Sequence, residues 1–162
     1  MLLLLSILLF TAISASDVQP DIDPALQRRA EKVLEKEFDK SSFSYTALAM
    51  DEHKKLYRLE SDGKQLGLIV FASSKGRFER FTYLVLYNLE IEVSKVKILA
   101  YHSSHGTGVT SRRWLRQFEG NSGETLRYGH DIQAISGATY SATSLTEDIP
   151  ALSQWVKEQM AQ

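Results

Sequence analysis

Four small and hydroxyl-bearing residues near the C-terminus, Ser136-Gly137-Ala138-Thr139, have the composition of an anion-binding turn. The segment after them has helical composition, and the free N–H groups and dipole of a helix start favour a phosphate group. Gly137 allows the backbone to approach a ligand closely. The hydroxyl of Thr139 could contact that phosphate or form an ester with it. Since Ser and Thr also cap helices for structural reasons, the flanking sequence must decide between these interpretations.

The flanking sequence contains a second ordered block. Residues 104–109 read Ser-His-Gly-Thr-Gly-Val, and residues 111–120 read Ser-Arg-Arg-Trp-Leu-Arg-Gln-Phe-Glu-Gly. Residues 131–139 then read Asp-Ile-Gln-Ala-Ile-Ser-Gly-Ala-Thr. The order and spacing of the blocks resemble the FMN-binding domain family, which includes the periplasm-facing, flavin-carrying subunits of sodium-pumping NADH:quinone reductases and of Rnf-type complexes. The likeness is closest to small exported members, is best over residues 101–146 and extends back to about residue 55.

The resemblance implies a cofactor and a way of attaching it. In that family FMN is commonly joined through its phosphate to the threonine of Ser-Gly-Ala-Thr, here Thr139, by a separate flavin transferase that uses FAD as donor. Ser136 and the N–H groups around Gly137 and Ala138 would hold the phosphate, and the adjoining Tyr140 is counted among the cofactor contacts. The implied function is an exported electron carrier between a membrane reductase and a periplasmic acceptor, because the flavin supplies the redox chemistry.

The upstream block supplies further candidate contacts. Among its arginines, Arg113 is the candidate partner of the phosphate or of the flavin's pyrimidine edge, and Trp114 or Phe118 could wall the ring. The structural alternative is a short amphipathic helix in which Trp114, Leu115 and Phe118 are buried and the arginines face solvent; we favour it for Leu115 and Phe118. His105 and Gly106 are expected to line a loop near the flavin, although an ordinary glycine turn explains this segment nearly as well.

Gln133 departs from the family pattern, which often has Asp at this position. Asp131 lies two residues earlier and is expected to point elsewhere. If the absent carboxylate orients or deprotonates the threonine hydroxyl, covalent loading is impaired. A neutral amide still forms hydrogen bonds, so FMN binding itself does not require Asp at this position. The departure at Gln133 therefore bears on covalent attachment and not on FMN binding.

Two other functional classes remain open because of Gln133. One is a non-redox exported binding module that keeps the turn for another ligand, and the other is a degenerate relative without cofactor. Whether the protein is an enzyme depends on its acceptor, which the sequence does not name. A metal site from His102 and His105, completed by His53 or His130, has weak support. A Ser–His hydrolase is disfavoured because no Gly-x-Ser-x-Gly motif occurs.

The N-terminus predicts export. Residues 2–14 form a short apolar run followed by small residues, which suits a secretory signal peptide over residues 1–16, with an uncleaved anchor as the alternative. The chain has no cysteine, which excludes disulfides, thiolate metal sites and a lipid-anchored cysteine. Its net charge of −1 gives no electrostatic case for binding nucleic acid. The expected location is the periplasm, free or tethered to the membrane.

Residue patterns predict an α+β domain whose mostly antiparallel, twisted sheet has helices at both ends. Asp23-Pro24 begins a helix that ends at Ser41-Ser42, within an N-terminal helical segment, 17–54. The FMN-binding domain, 55–162, opens with a hairpin around Asp62-Gly63 and continues through the apolar strand 81–87. Two alternation registers over 91–98 indicate a bulge near Ser94-Lys95. Pro150 either kinks the last helix or separates two helices, with Leu152, Trp155, Val156 and Met160 as core.

Overall fold

The computed structural model describes residues 21–162, so the predicted signal peptide lies outside the described residues. The described chain forms a five-stranded antiparallel sheet in sequence order, with one helix before it and a short and a long helix after it, which confirms the predicted α+β class. No helix in this part of the chain is long and apolar enough to cross a membrane. The strands are β1 Ser44–Met50, β2 Lys54–Ser61, β3 Lys64–Lys75, β4 Arg80–Tyr87 and β5 Val93–Ala100. The helices are α1 Pro24–Phe38, α2 Arg112–Leu115 and α3 Thr139–Met160, with 3-10 turns at Thr107–Thr110 and Arg116–Phe118.

Helix α1 begins as the sequence predicts. The Asp23 carboxylate accepts hydrogen bonds from the N–H groups of Ala25 at 2.8 Å and Leu26 at 3.2 Å, and Pro24 occupies the first turn. These bonds satisfy donors that have no intrahelical acceptor. The helix ends earlier than predicted, at Phe38, because Asp39 adopts the left-handed conformation and stops the helical ladder.

The N-terminal segment is not helical throughout, which corrects its description as a helical segment. Residues 44–50 form β1, which pairs antiparallel with β2. Tyr45 of β1 is buried and contacts Tyr57 of β2 edge to face, with ring centroids 6.1 Å apart. Burial of this aromatic pair stabilises the added edge strand. The sheet therefore begins before residue 55, and the predicted boundary there does not separate two structural units.

The predicted hairpin and bulge are both present. Asp62 and Gly63 connect β2 to β3 with φ values of 52° and 72°, the left-handed conformation that a tight two-residue turn requires. On β5, Val93 pairs with Tyr87 while Lys95 pairs with Leu86, so Ser94 is the extra residue of a bulge. The two alternation registers in the sequence were therefore a correct signal of the bulge.

The sheet buries apolar side chains on both faces. Strand β4 is buried along most of its length because its residues alternate between the two cores, as a nearly continuous apolar run predicts. Helix α1 covers one face through Ala30 and Leu34. Helix α3 covers the other face together with the segment that contains α2.

Helix α3 continues through Pro150, so the alternative of two separate helices is wrong. Pro150 removes one backbone donor from the ladder, and its ring is buried. Leu152 and Val156 belong to the core, and Trp155 is half-buried against it. Met160 is 40% exposed, so the prediction that it belongs to the core is wrong.

Candidate functional site

The two blocks quoted from the sequence lie against each other. The indole nitrogen of Trp114 donates to the carbonyl oxygen of Gln133 at 2.7 Å. The Gln133 N–H in turn donates to the side-chain oxygen of Gln117 at 2.8 Å. Short α2 and the 3-10 turn after it therefore hold the segment that leads to Ser136. These bonds use both backbone groups of Gln133, the N–H and the carbonyl oxygen.

The glycine loop packs on the same turn. At Gly106, where φ is 74°, a Cβ atom would lie 2.8 Å from the Tyr101 hydroxyl and 3.2 Å from the Cα of Ala138. Tyr101 fastens the loop, since its hydroxyl donates to the His105 carbonyl oxygen at 2.8 Å and lies 3.0 Å from the Ser141 hydroxyl. Gly106 is therefore required for close packing of backbone against backbone.

The first backbone N–H groups of α3 have no hydrogen-bond acceptor within the helix. Gly137 has a φ of 76°, and nothing lies within 4 Å of the position that its Cβ would take. Ala138 is the N-cap and has no side-chain hydrogen bond to the helix. The helical ladder begins with the Ala142 N–H bonding the Ala138 carbonyl oxygen at 2.9 Å, so the N–H groups of residues 139–141 have no intrahelical acceptor. The site thus has the orphan donors and positive dipole end that an anion prefers.

Predicted contacts separate into two neighbouring groups. Arg113, Trp114, Gln133 and Ser136 line one open cleft of about 400 Å³. Thr139 and Tyr140 are not among its lining residues and are exposed at the start of α3. Ser136, Gly137 and Ala138 connect the two groups through a single turn of backbone.

An exposed aromatic surface, which we call the ring surface, adjoins the start of α3. It consists of Phe78, 72% exposed, and Tyr140, 65% exposed, with the His105 ring 6.4 Å from that of Phe78. The Arg77 guanidinium carbon lies 5.2 Å from the Phe78 ring centroid and 5.8 Å from that of Tyr140. Arg77 and Phe78 were not predicted as site residues. A large aromatic residue between charged residues in a hairpin turn could have indicated an exposed binding surface.

The arginine block takes the predicted structural form. Trp114, Leu115 and Phe118 are buried, and the Trp114 and Phe118 rings meet edge to face with centroids 5.2 Å apart. Phe118 is fully buried and cannot wall a ligand, whereas Trp114 both packs in the core and lines the cleft. Arg116 lies 4.0 Å from Glu119. Only Arg113 of the three arginines lines the cleft that contains Ser136.

Asp131 points away from the turn, as expected. Its carboxylate accepts hydrogen bonds from the Arg127 backbone and guanidinium at 2.9 and 3.1 Å and lies 2.8 Å from His130. Hydrogen bonds from Arg127 and His130 lower the pKa of Asp131 to about 2. Asp131 therefore cannot substitute for the carboxylate that is absent at Gln133. Within residues 21–162, no three His, Cys, Asp or Glu side chains gather as a metal-binding group would require.

A second cavity, of about 350 Å³, lies between α3 and the adjoining strand ends and was not predicted. Its lining includes Lys75, Arg80, Tyr83 and Asp148. Burial raises the pKa of Asp148 above its usual value. Burial also raises the pKa of Tyr83, so its phenol keeps the proton. The residues carry both charge signs, so they do not select one ligand chemistry.

Comparisons with known proteins give no assignment. No protein-family model matches this chain, and no curated protein matches it. The likeness to FMN-binding domains therefore stays a prediction, which rests on the two sequence blocks.

Proposed function

We propose that this protein is an exported flavoprotein that carries FMN, esterified through its phosphate to Thr139. It passes electrons between a membrane reductase and a periplasmic acceptor. The bound flavin would supply the one- and two-electron chemistry. The polypeptide would hold the flavin in place and tune its potential. The proposal extends the resemblance of residues 101–146 to FMN-binding domains.

The observation that carries the proposal is the exposed hydroxyl of Thr139 beside the open donors at the start of α3. Thr139 is the first residue of a 22-residue helix and is exposed. No atom lies within 4 Å of the position that a Cβ of Gly137 would take. The left-handed φ of Gly137 turns the backbone into the start of α3. A phosphate ester on Thr139 would lie at the positive end of the helix dipole, where its negative charge is stabilised.

Charged and polar side chains on the cleft side fit the same cofactor. Arg113 and Ser136 line one cleft, and Ser136 begins the turn that leads to Thr139, so a cation and a hydroxyl are available on the cleft side of this turn. An arginine forms strong, charge-assisted hydrogen bonds with phosphate oxygens. The Gln133 amide lines the cleft as well and offers a donor without adding negative charge. These groups support binding of a phosphate monoester or diester rather than of a cation.

The ring surface supports a planar aromatic ligand. Phe78 and Tyr140 present exposed aromatic faces on the side of the turn where Thr139 begins α3. Aromatic pairs of this kind stabilise a contact by about 0.5–1.5 kcal/mol beyond area burial. Arg77, which lies over both rings, adds a cation to the same surface. An isoalloxazine ring tethered at Thr139 would have the adjoining Tyr140 as a partner, together with Arg77 and Phe78 of the β3–β4 hairpin.

The loading reaction uses one hydroxyl of this chain. The Thr139 oxygen forms a bond to the flavin-side phosphorus of FAD, the phosphoanhydride bond breaks, and AMP leaves with the bonding electron pair. The hydroxyl proton passes to a base of the transferase or to water, because Gln133 has no basic group. No electron is gained or lost in this step.

Intact mass spectrometry tests the proposal directly. The chain is exported from a host that also expresses a flavin transferase, and its mass is compared with that of Thr139→Ala. We expect an added mass of one FMN less one water in the native chain and none in the variant. Thr143→Ala, one turn further along α3, is the matched control and should keep the adduct.

Other outcomes separate the alternatives. If denaturation releases a yellow cofactor and no adduct is found, the protein binds FMN without a covalent bond and the proposed ester is wrong. A colourless chain without adduct would overturn the flavoprotein proposal and leave the exported binding module or the cofactor-free relative. If the adduct persists in Thr139→Ala but is lost when another serine or threonine is replaced, FMN is attached at that other residue.

A further inference from the structure

A basic cleft of about 400 Å³ lies between α1 and β5, separate from the turn before α3. We define it by its cations: Arg29, Lys32 and Lys36 of α1, Lys95 and Lys97 of β5, and Arg112 of α2. The α1 cations recur at spacings of three and four residues, so they share one helix face. Glu37 is the one carboxylate that lines the cleft.

Among the described residues, five of these six cations have no carboxylate partner within ion-pair distance. In residues 21–162 the ion pairs include only Lys95 from this group, which contacts Glu37. The whole chain has a net charge of −1, so positive charge is concentrated here and balanced elsewhere on the surface. Such a local field attracts and orients an anionic partner even when the overall charge is close to zero.

Backbone groups of an edge strand lie within the same cleft. Strand β5 is the last strand of the sheet and pairs with β4 alone among the described strands. Its outer edge is used at Val93, which bonds residues 120 and 121, and at the Leu99 carbonyl oxygen, which accepts from Arg29 at 2.6 Å. Val96 and Ile98 line the cleft between these points, although their side chains belong to the core beneath α3. They therefore present backbone to the cleft.

We propose that the basic cleft binds an extended, acidic segment of a partner protein. The segment adds to the outer edge of β5 as a further strand, and its carboxylates lie between the α1 cations and Arg112. Strand addition uses main-chain hydrogen bonds for affinity and alternate side chains for selectivity. Within residues 21–162 the outer edge at Val96 and Ile98 has no strand partner, so their backbone groups supply the main-chain hydrogen bonds, and the cations supply the selectivity. The proposal does not depend on FMN or on Thr139.

The test uses the full chain and a defined probe. A fluorescein-labelled peptide of eight residues, matching the length of β5, alternates Glu and Val and has blocked ends. Fluorescence polarisation should show saturable binding that weakens as salt is added. Lys32→Glu combined with Lys36→Glu should weaken binding about tenfold or more, since two attractive charges become repulsive. Both lysines are exposed, so the variant should fold normally, which circular dichroism checks.

Two controls distinguish strand addition from unspecific attraction. Lys64→Glu combined with Lys157→Glu changes the net charge equally outside the cleft and should change affinity by less than about twofold. A peptide with alternate amides methylated cannot donate to the strand edge and should also lose about tenfold or more in affinity. In NMR exchange experiments, bound peptide should protect amides of the 95–99 segment.

Several results would overturn the proposal. Equal binding of the methylated peptide would exclude strand addition, and equal binding of a Lys and Val peptide would exclude selection of acidic side chains by the cleft. Binding to phosphatidylglycerol vesicles in place of the acidic peptide would make the cleft a lipid site. If no anion binds and the charge-reversed chain aggregates, the lysines serve only to keep the exposed edge of β5 from pairing.

Discussion

The indole nitrogen of Trp114 and the carbonyl oxygen of Gln133, 19 residues apart in the chain, are joined by a 2.7 Å hydrogen bond. This bond connects the arginine block to the segment that leads into the Ser136–Thr139 turn. Because Trp114 is only 5% exposed, this part-buried bond ties the segment before the turn to the core. The geometry of the proposed phosphate site therefore depends on Trp114, which holds the segment that leads to it.

Trp114→Phe is expected to destabilise the protein by about 1–3 kcal/mol, because the Gln133 carbonyl oxygen loses its donor in a partly buried place. Urea denaturation measures this loss. Trp155→Phe, on half-buried Trp155 where Lys54 lies over the ring at 4.8 Å, is the control and should cost less than about 1 kcal/mol. An equal loss in both variants would mean that the bond to Gln133 adds nothing beyond ring packing.

Gly137→Ala should strain the turn without a steric clash. The left-handed φ costs a residue with a Cβ about 1–2 kcal/mol, and the space around Gly137 is open. Gly63→Ala is the matched control, since Gly63 has a similar φ of 72° and equally open surroundings in the β2–β3 hairpin. We expect both variants to lose similar stability in urea, whereas only Gly137→Ala reduces the flavin adduct in intact mass spectra. Equal loading of the two variants would contradict a role for this turn.

Gln133→Asp should accelerate covalent loading. It introduces the carboxylate that the resembled family often has at this position, so a proton acceptor becomes available beside the turn. The adducted fraction is followed by mass spectrometry at fixed times after the transferase is added. Ala134→Asp, at the exposed neighbouring residue, introduces the same charge and should leave the rate unchanged. A rate that rises equally in both variants would assign the effect to charge alone.

The sequence predicted features that depend on local chemistry. Asp23 as a helix cap, the Asp62–Gly63 turn and the bulge at Ser94 each have a signal within a few neighbouring residues. Strand β1 was missed because its stability comes from contacts with β2, such as Tyr45 on Tyr57, which no local pattern contains. Tertiary packing in this way overrides local propensity.

The candidate site was predicted only where its residues belong to the two sequence blocks that resemble the FMN-binding family. The 136–140 turn was found, whereas Phe78 and Arg77 come from a hairpin that the fold brings to Tyr140. The continuity of α3 through Pro150 was also left open, because burial of the ring compensates for a donor that proline lacks. The basic cleft could not be predicted from the net charge of the chain, because a net charge does not show where on the surface the charged residues lie.

Phe78→Ser tests the ring surface. Phe78 is 72% exposed, so its removal should change stability by less than about 0.5 kcal/mol. In the flavin-loaded chain, emission of the flavin should rise, because Phe78 no longer helps to hold the flavin against the electron-rich Tyr140 phenol, which is the ring of this surface that can quench it. Leu89→Ser, which removes another exposed apolar side chain, is the control and should leave emission unchanged. Identical emission from native and Phe78→Ser chains, with the adduct present in both, would remove Phe78 from the site while keeping the flavoprotein proposal.

Asp148→Asn should remove a pH dependence of stability. Burial raises the pKa of Asp148 above its ordinary value of 3.8, so the folded chain keeps this proton to higher pH than the unfolded chain does. The unfolded state then binds fewer protons in that window, and the contribution of Asp148 to the free energy of unfolding falls as pH rises through it. The stability of Asp148→Asn relative to the native chain should therefore increase with pH from about 4 upward and level off once Asp148 is ionised in both states.

Urea denaturation at a series of pH values from about 3 to about 7 measures this difference. Glu147→Gln is the control for loss of one negative charge in the same turn of α3. Subtraction of the native curve cancels the opposite contribution of Asp131, whose lowered pKa favours the folded state as pH rises. Parallel curves for native and Asp148→Asn chains would contradict a buried carboxyl group in the cavity beside Tyr83 and Arg80.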